Sequence, residues 1–260
     1  MKNKRNLIIL ILIIIVLSYS CHKDNGGNFE PSDTEIICPC DGDTLNDALT
    51  RCEWKGLDGA VEFQYRLDTE DWFNWTIDTT TEFFLDEGSH IFIVKSRNEF
   101  NREDPTPATA NFFIDAISGP ALWLKKRKVK LSVLQPCSLK VWVEDVNSLM
   151  IANLELSYDN SHIKIEDIHK DTSFLSENGG DIQLISEFND TLQVAKANIG
   201  IVGGTPKGVS GSGPLITINF LLKVSDSTTI AFTSSSRLRD TLNNSIPLTG
   251  MFPCIIIPEE

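Results

Sequence analysis

A period of two constrains this chain more than any other feature. In "AVEFQYRLD" (60–68), Val61, Phe63, Tyr65 and Leu67 fall on one side and Glu62, Gln64, Arg66 and Asp68 on the other. Side chains that alternate this way belong to a half-buried β-strand. The same pattern returns in "HIFIVKSRN" (90–98), in "PATANFFIDA" (107–116), and in "SLKVWVEDV" (138–146), where Leu139, Val141 and Val143 share a face. In "IANLELSYDNSHIKIEDI" (151–168), Leu154, Leu156 and Tyr158 alternate, "DNS" turns, and Ile163 and Ile165 alternate again. "DTLQVAKANIG" (190–200) reads as another strand and "GTPKGVSGSG" (204–213) as a long flexible loop. "PLITINFLLKV" (214–224) reads as a strand buried on both sides, and "GMFPCIII" (250–257) closes the chain. Turn residues such as "DGA", "DTED" and "DEGS" separate the strands, and long helix-period stretches are absent. The fold class is therefore all-β, with two β-sandwich domains. Gly119-Pro120 in "ISGPALW" marks the boundary, giving domains of 33–117 and 118–260.

The start of the chain is different. Lys2, Lys4 and Arg5 precede eleven unbroken aliphatic residues, Leu7 to Leu17. A helix of that length rises only ~16 Å, too short for a hydrocarbon core of about 30 Å. A basic stretch, a short apolar run and then Ser18 and Ser20 read as a secretory signal. With Cys21 directly following, the segment resembles a bacterial lipoprotein signal. The resemblance implies that residues 1–20 are removed and that Cys21 is lipidated, anchoring the protein to a membrane. The cell envelope is then its place, on the outer membrane or cell surface in preference to the inner membrane. The alternative is an uncleaved N-terminal anchor. Residues 21–32, polar and glycine-rich, read as a flexible tether.

Without Lys2, Lys4 and Arg5 the basic residues fall from 23 to 20 against 36 acidic ones, a net of −16. That charge excludes nucleic acid as the expected partner. Of the six cysteines, five remain once Cys21 carries lipid, and an odd number leaves at least one thiol over. Export permits disulfides. The expected pairs are Cys137 with Cys254, which flank the second domain, and Cys52 with Cys40 or Cys38. Cys38 and Cys40 stand one residue apart with no second pair following, so neither metal nor cofactor is expected.

"EFQYRLD", Trp72, Trp75, "LDEGSHIFIVKSRN" and "DPTPATANFFID" together resemble immunoglobulin-like or fibronectin type III-like modules. Trp72 and Trp75 could stack on sugar rings; the competing reading has them fill or cap the sandwich. Lys125, Lys126, Arg127, Lys128 and Lys130 form a basic run in an acidic protein. With Val129, Leu131 and Val133 alternating inward, it reads as a solvated edge that discourages aggregation.

In the second region "KVWVEDV", "ANLELSYDNSHIKIEDI", "LQVAKANIG" and "GVSGSGPLITINFLLKV" resemble a cohesin domain. That resemblance implies a jelly-roll β-sandwich related to carbohydrate-binding modules, and a non-catalytic role binding dockerin modules in polysaccharide-degrading assemblies. The contact positions it implies are the outward residues Asn153, Glu155 and Ser157, with Asn198 beside Ala197 on a later strand. Asn198 stands where the family commonly has an acidic residue.

No catalytic pattern survives inspection. "GVSGSG" places Ser212 where a hydrolase elbow needs glycine, "GGTPKG" is followed by Val209 where a phosphate loop needs lysine, and "DGDTLND" lacks the later ligands of a calcium loop. The sequence thus points to a membrane-anchored binding protein, not an enzyme, whose partner is a dockerin-bearing protein or a polysaccharide. The alternatives are direct carbohydrate binding and a structural envelope role without a specific ligand.

Overall fold

A computed structural model describes residues 32–203 and 207–259. The signal segment, Cys21 and nearly all of the tether lie outside the described residues. The described chain is all-β, as the alternation requires, and contains no helix. It divides into two compact units. One takes 53–79 and 92–109 with the described residues up to Ile37; the other takes 38–52, 80–91 and the chain from Ala110 onward.

The first seven strands are β1 (Asp33–Cys38), β2 (Thr44–Leu45), β3 (Leu49–Leu57), β4 (Ala60–Leu67), β5 (Thr80–Phe84), β6 (Gly88–Asn98) and β7 (Ala108–Ile114). They make a three-stranded sheet, β1-β3-β5, and a four-stranded sheet, β2-β7-β6-β4. The centre of the first unit is aromatic. Trp54 is buried, with ring centroids 5.2 Å from Tyr65, 5.7 Å from Phe92 and 6.1 Å from Phe63. Offset aromatic pairs of this kind stabilise beyond their buried area. Phe63 and Leu67 are buried as the alternation predicts, but Val61 is 46% exposed.

Twelve strands follow: β8 (Ala121–Lys125), β9 (Lys128–Leu131), β10 (Pro136–Ser157), β11 (Ile163–Lys170), β12 (Asp181–Asn189), β13 (Val194–Val202), β14 (Val209–Leu222), β15 (Thr228–Phe232), β16 (Arg237–Asp240), β17 (Ser245–Ile246), β18 (Gly250–Phe252) and β19 (Cys254–Pro258). They wrap one aliphatic core, in which Leu139, Val141, Val143, Leu154, Leu156, Ile216, Ile218 and Phe220 are all buried. β10 is the spine of this region. Its first half pairs with β8 and β14, its second half with β13, β15 and β16.

The two halves of β10 meet at a bulge, with register shifts between Val143 and Val146 and between Val146 and Leu149. Asp145 and Ser148 there have φ of 49° and 55°, a region L side chains seldom occupy. The bulge is held from outside. Ser212 Oγ accepts the Asp145 N–H and Ser210 Oγ accepts the Ser148 N–H, each at 3.0 Å. Val209–Gly213 is therefore strand and not the loop expected from its glycines. Gly213 is small because Phe174 packs against the place a Cβ would fill. The strand expected over 190–200 begins later, at Val194, and a whole strand before it, β12, carried no clear alternation.

The basic run behaves as an edge only in part. Lys128 and Lys130 are exposed while Val129 and Leu131 are buried, but Val133 is exposed. The other basic residues of the run are partnered: Lys125 lies over the Trp142 ring at 4.5 Å, and Arg127 lies 4.8 Å from the Phe84 ring and 5.1 Å from that of Phe252. Asp86 accepts the N–H groups of Lys126 and Arg127 at 3.0 and 2.8 Å, and Glu87 accepts that of Ala116 at 3.0 and 3.1 Å.

Candidate functional site

Opposed residues of antiparallel strands share a face. Applied along β12-β13-β10-β16, this builds one outward surface from four strands. Ile185, Asn198, Asn153 and Arg237 form one row across it. Glu187, Lys196 and Glu155 form the next, and Asn189, Val194 and Ser157 a third. The inward mates Ala152, Leu154, Leu156, Ala195, Ala197 and Ile199 are all buried, which fixes which side faces out.

All four residues singled out on this face lie together. Asn153 donates through Nδ2 to Asn198 Oδ1 at 2.7 Å. Glu155 accepts from Thr233 Oγ1 at 2.7 Å and lies 3.6 Å from Lys196 Nζ. The Thr233 hydrogen bond first, then those from Ser235 and Lys196, hold its carboxyl below the usual range. Ser157 donates to the Ala231 carbonyl at 3.3 Å. Ala197, beside Asn198, is buried.

Sequence reasoning missed the other half of the surface. Ile185 is 74% exposed in the same row as Asn153, and Arg237 and Arg239 arrive on β16. At one end of the face an open groove of about 340 Å³ runs past Ser157, Tyr158, Gln193 and Thr229. Tyr158 OH donates to Asp190 at 2.7 Å, tying the loop before β13 to this end.

The two tryptophans hold different company. Both are half-buried in the first unit. Lys95 lies 4.9 Å from the Trp72 ring and 5.4 Å from that of Trp75; Arg66 lies 5.1 Å from Trp72 and Arg97 4.4 Å from Trp75. Cations over a ring satisfy the same quadrupole that a stacked partner would use.

The cysteines of the expected pairs stand reduced in this structure: Cys52, Cys137 and Cys254 are free thiols. Cys38 is a neighbour of Cys52. Cys38 Sγ lies 3.6 Å from the Arg51 carbonyl, and its proximity adds to the burial that pushes Cys52 up to about 12. Cys40 is exposed, with its N–H given to Asp43. The two-residue step past Pro39 carries it off the strand.

Two carboxyl groups have raised pKa values, a common mark of acid–base chemistry. Burial pushes Glu87 up to about 7, with Glu144 and Asp115 adding to it. Burial also raises Glu144. Both are engaged structurally: Glu87 caps Ala116, and Glu144 accepts Trp123 Nε1–H at 3.0 Å. Among the described residues no cluster of three or more histidine, cysteine or acidic residues could hold a metal.

No family model matches the chain, and no curated protein matches it. Solved structures do, over about half its length. A non-cellulosomal cohesin from Archaeoglobus fulgidus is 17% identical over 54% of this chain and 91% of its own, with a TM-score of 0.42. The sixth cohesin of Acetivibrio cellulolyticus scaffoldin B, solved with a Cel5 dockerin, is 12% identical over 55% of this chain and 100% of its own, at 0.45. CaCohA2 of Clostridium acetobutylicum is 16% identical over 54% and 96%, at 0.41.

Proposed function

We propose that this chain is a non-catalytic binding protein, tethered to the bacterial cell envelope through Cys21, whose second sandwich (118–260) holds a protein partner on the outward face of β12-β13-β10-β16. The observation that carries the reading is that face: four strands in continuous register, with Asn153 and Asn198 at its centre between exposed Ile185 and exposed Arg237. An open polar surface with one exposed apolar side chain and charges of both signs suits a protein partner better than a buried small molecule. The cohesin resemblance of the sequence names the partner class as a dockerin-bearing protein of a polysaccharide-degrading system. The first sandwich, 33–117, acts as a spacer, and the tether raises the effective concentration of whatever is bound near the membrane.

The test is a pull-down with the full chain from the source organism's secreted fraction, in calcium and in chelator. Calcium matters because dockerins fold around it. The expected result is calcium-dependent capture of a protein carrying a dockerin module, lost in an Asn153→Arg/Asn198→Arg variant that unfolds at the same urea midpoint. Capture indifferent to that double substitution would remove the face from the reading. No dockerin-bearing protein in either condition would leave polysaccharide binding or a structural role in its place.

A further inference from the structure

Cys137 and Cys254 are far apart in sequence and start different strands, yet the chain routes both to one corner. β8 runs antiparallel to β10 with Lys125 opposite Lys140. A two-residue turn, Lys126-Arg127, then starts β9, whose Lys128 lies opposite Ile255 of β19. The Ile255 N–H donates to the Arg127 carbonyl at 2.8 Å. The two ends of that short turn thus anchor β10 three residues from Cys137 and β19 one residue from Cys254. Both side chains join the same apolar cluster, Cys254 fully buried and Cys137 half-buried at its margin. Their polar contacts are weak: 4.0 Å from Cys137 Sγ to the Ser138 carbonyl and 3.8 Å from Cys254 Sγ to that of Ile255. The thiols also feel one another. Cys254 is pushed up to about 12 by burial and then by Cys137, while Lys126 pulls both thiols the other way.

We propose that Cys137 and Cys254 are a disulfide-forming pair that staples the C-terminal strand to the start of β10. The oxidant is an external disulfide, that of a thiol–disulfide oxidoreductase in the envelope and glutathione disulfide in the test below. The accessible partner reacts first. Cys137 loses its proton and its thiolate attacks one sulfur of the external disulfide; a mixed disulfide forms and one external thiolate leaves, taking up a proton. Cys254 then loses its proton and attacks Cys137 Sγ. The second external thiolate leaves, so two protein thiols are oxidised and one external disulfide is reduced to two thiols. The bond closes a loop of roughly 120 residues, and long loops gain most from closure because the unfolded chain loses most freedom. The proposal does not depend on the binding face.

The experiment equilibrates the purified full chain with glutathione disulfide, alkylates it, and digests it with trypsin without reduction. The expected product is peptide 131–140 joined to peptide 240–260, two hydrogens lighter than the pair. A Cys254→Ser variant should stop at the first exchange and carry glutathione on Cys137. A Cys137→Ser variant should keep Cys254 as a thiol that alkylates only on unfolding. Should either variant fail to fold, the wild-type digest still decides. Recovery of both peptides separately alkylated after equilibration overturns the proposal, as does a bond from Cys137 or Cys254 to Cys38, Cys40 or Cys52.

Discussion

The two halves of β10 alternate alike, with odd-numbered residues inward before the bulge and even-numbered ones after it, yet their outward sides meet opposite fates. In the first half the inward residues Leu139, Val141 and Val143 are buried, and the outward Trp142 is covered as well, 5.8 Å from Trp123 with Lys125 over its ring. In the second half Leu154 and Leu156 are buried, while outward Asn153, Glu155 and Ser157 look onto an open face. Alternation fixes which side of a strand meets the core. What lies on the other side is decided by neighbours far away in sequence.

The largest effects should come where the halves agree. Leu139→Ala and Leu154→Ala should each lower stability by ~2–5 kcal/mol, since both leave a cavity in one continuous core. Urea denaturation measures this. A loss under about 1 kcal/mol for Leu154→Ala alone would mean that the second half is not anchored as the first is. Next comes the bulge between them. Gly213→Ala drives a methyl into Phe174 and should cost ~1–3 kcal/mol; an unchanged urea midpoint would contradict the close approach.

A smaller effect concerns the carboxyls near the first half. Glu87 is raised to about 7 by burial, facing Glu144 and Asp115. The folded state therefore holds more protons than the unfolded state between about pH 4.5 and 7, and stability falls as pH rises through that window. The chain should be more stable at pH 5 than at pH 8, by roughly 1 kcal/mol once solvent screening is allowed for. Glu87→Gln should flatten the profile, and an unaltered slope in that variant would assign the effect elsewhere. The smallest effect on stability belongs to the open face. Asn153→Ala should move it by about 0.5 kcal/mol or less, since a surface amide pair is lost with nothing buried. A loss of several kcal/mol would show that the pair is structural and not available to a partner.

Much of this arrangement was legible beforehand. The alternation at 60–68, 90–98, 138–146 and 151–158 located the strands and the inward leucines and placed Asn153, Glu155 and Ser157 outward, although the last two segments are one strand, β10. Three things were not legible, each for a physical reason. β12 escaped notice because Leu184 and Ile185 are adjacent apolar residues on opposite faces, one half-buried and one exposed. Val209–Gly213 looked like loop because its glycines and serines serve the bulge opposite and not a turn. Ile185 and Arg237 could not be joined to Asn153, since register between distant strands is not written in either strand alone.

The last strands of the chain lie parallel to the first strands of the second region: β18 beside β8 over three register pairs, and β19 beside β9 over four. A force applied between Ala121 and Pro258 runs along these strands in opposite senses. Parallel neighbours loaded that way cannot peel one hydrogen bond at a time; each ladder must slide and give way as a whole. The region is thus built to resist pulling between its two ends, and it would yield more easily to a force applied across its strands.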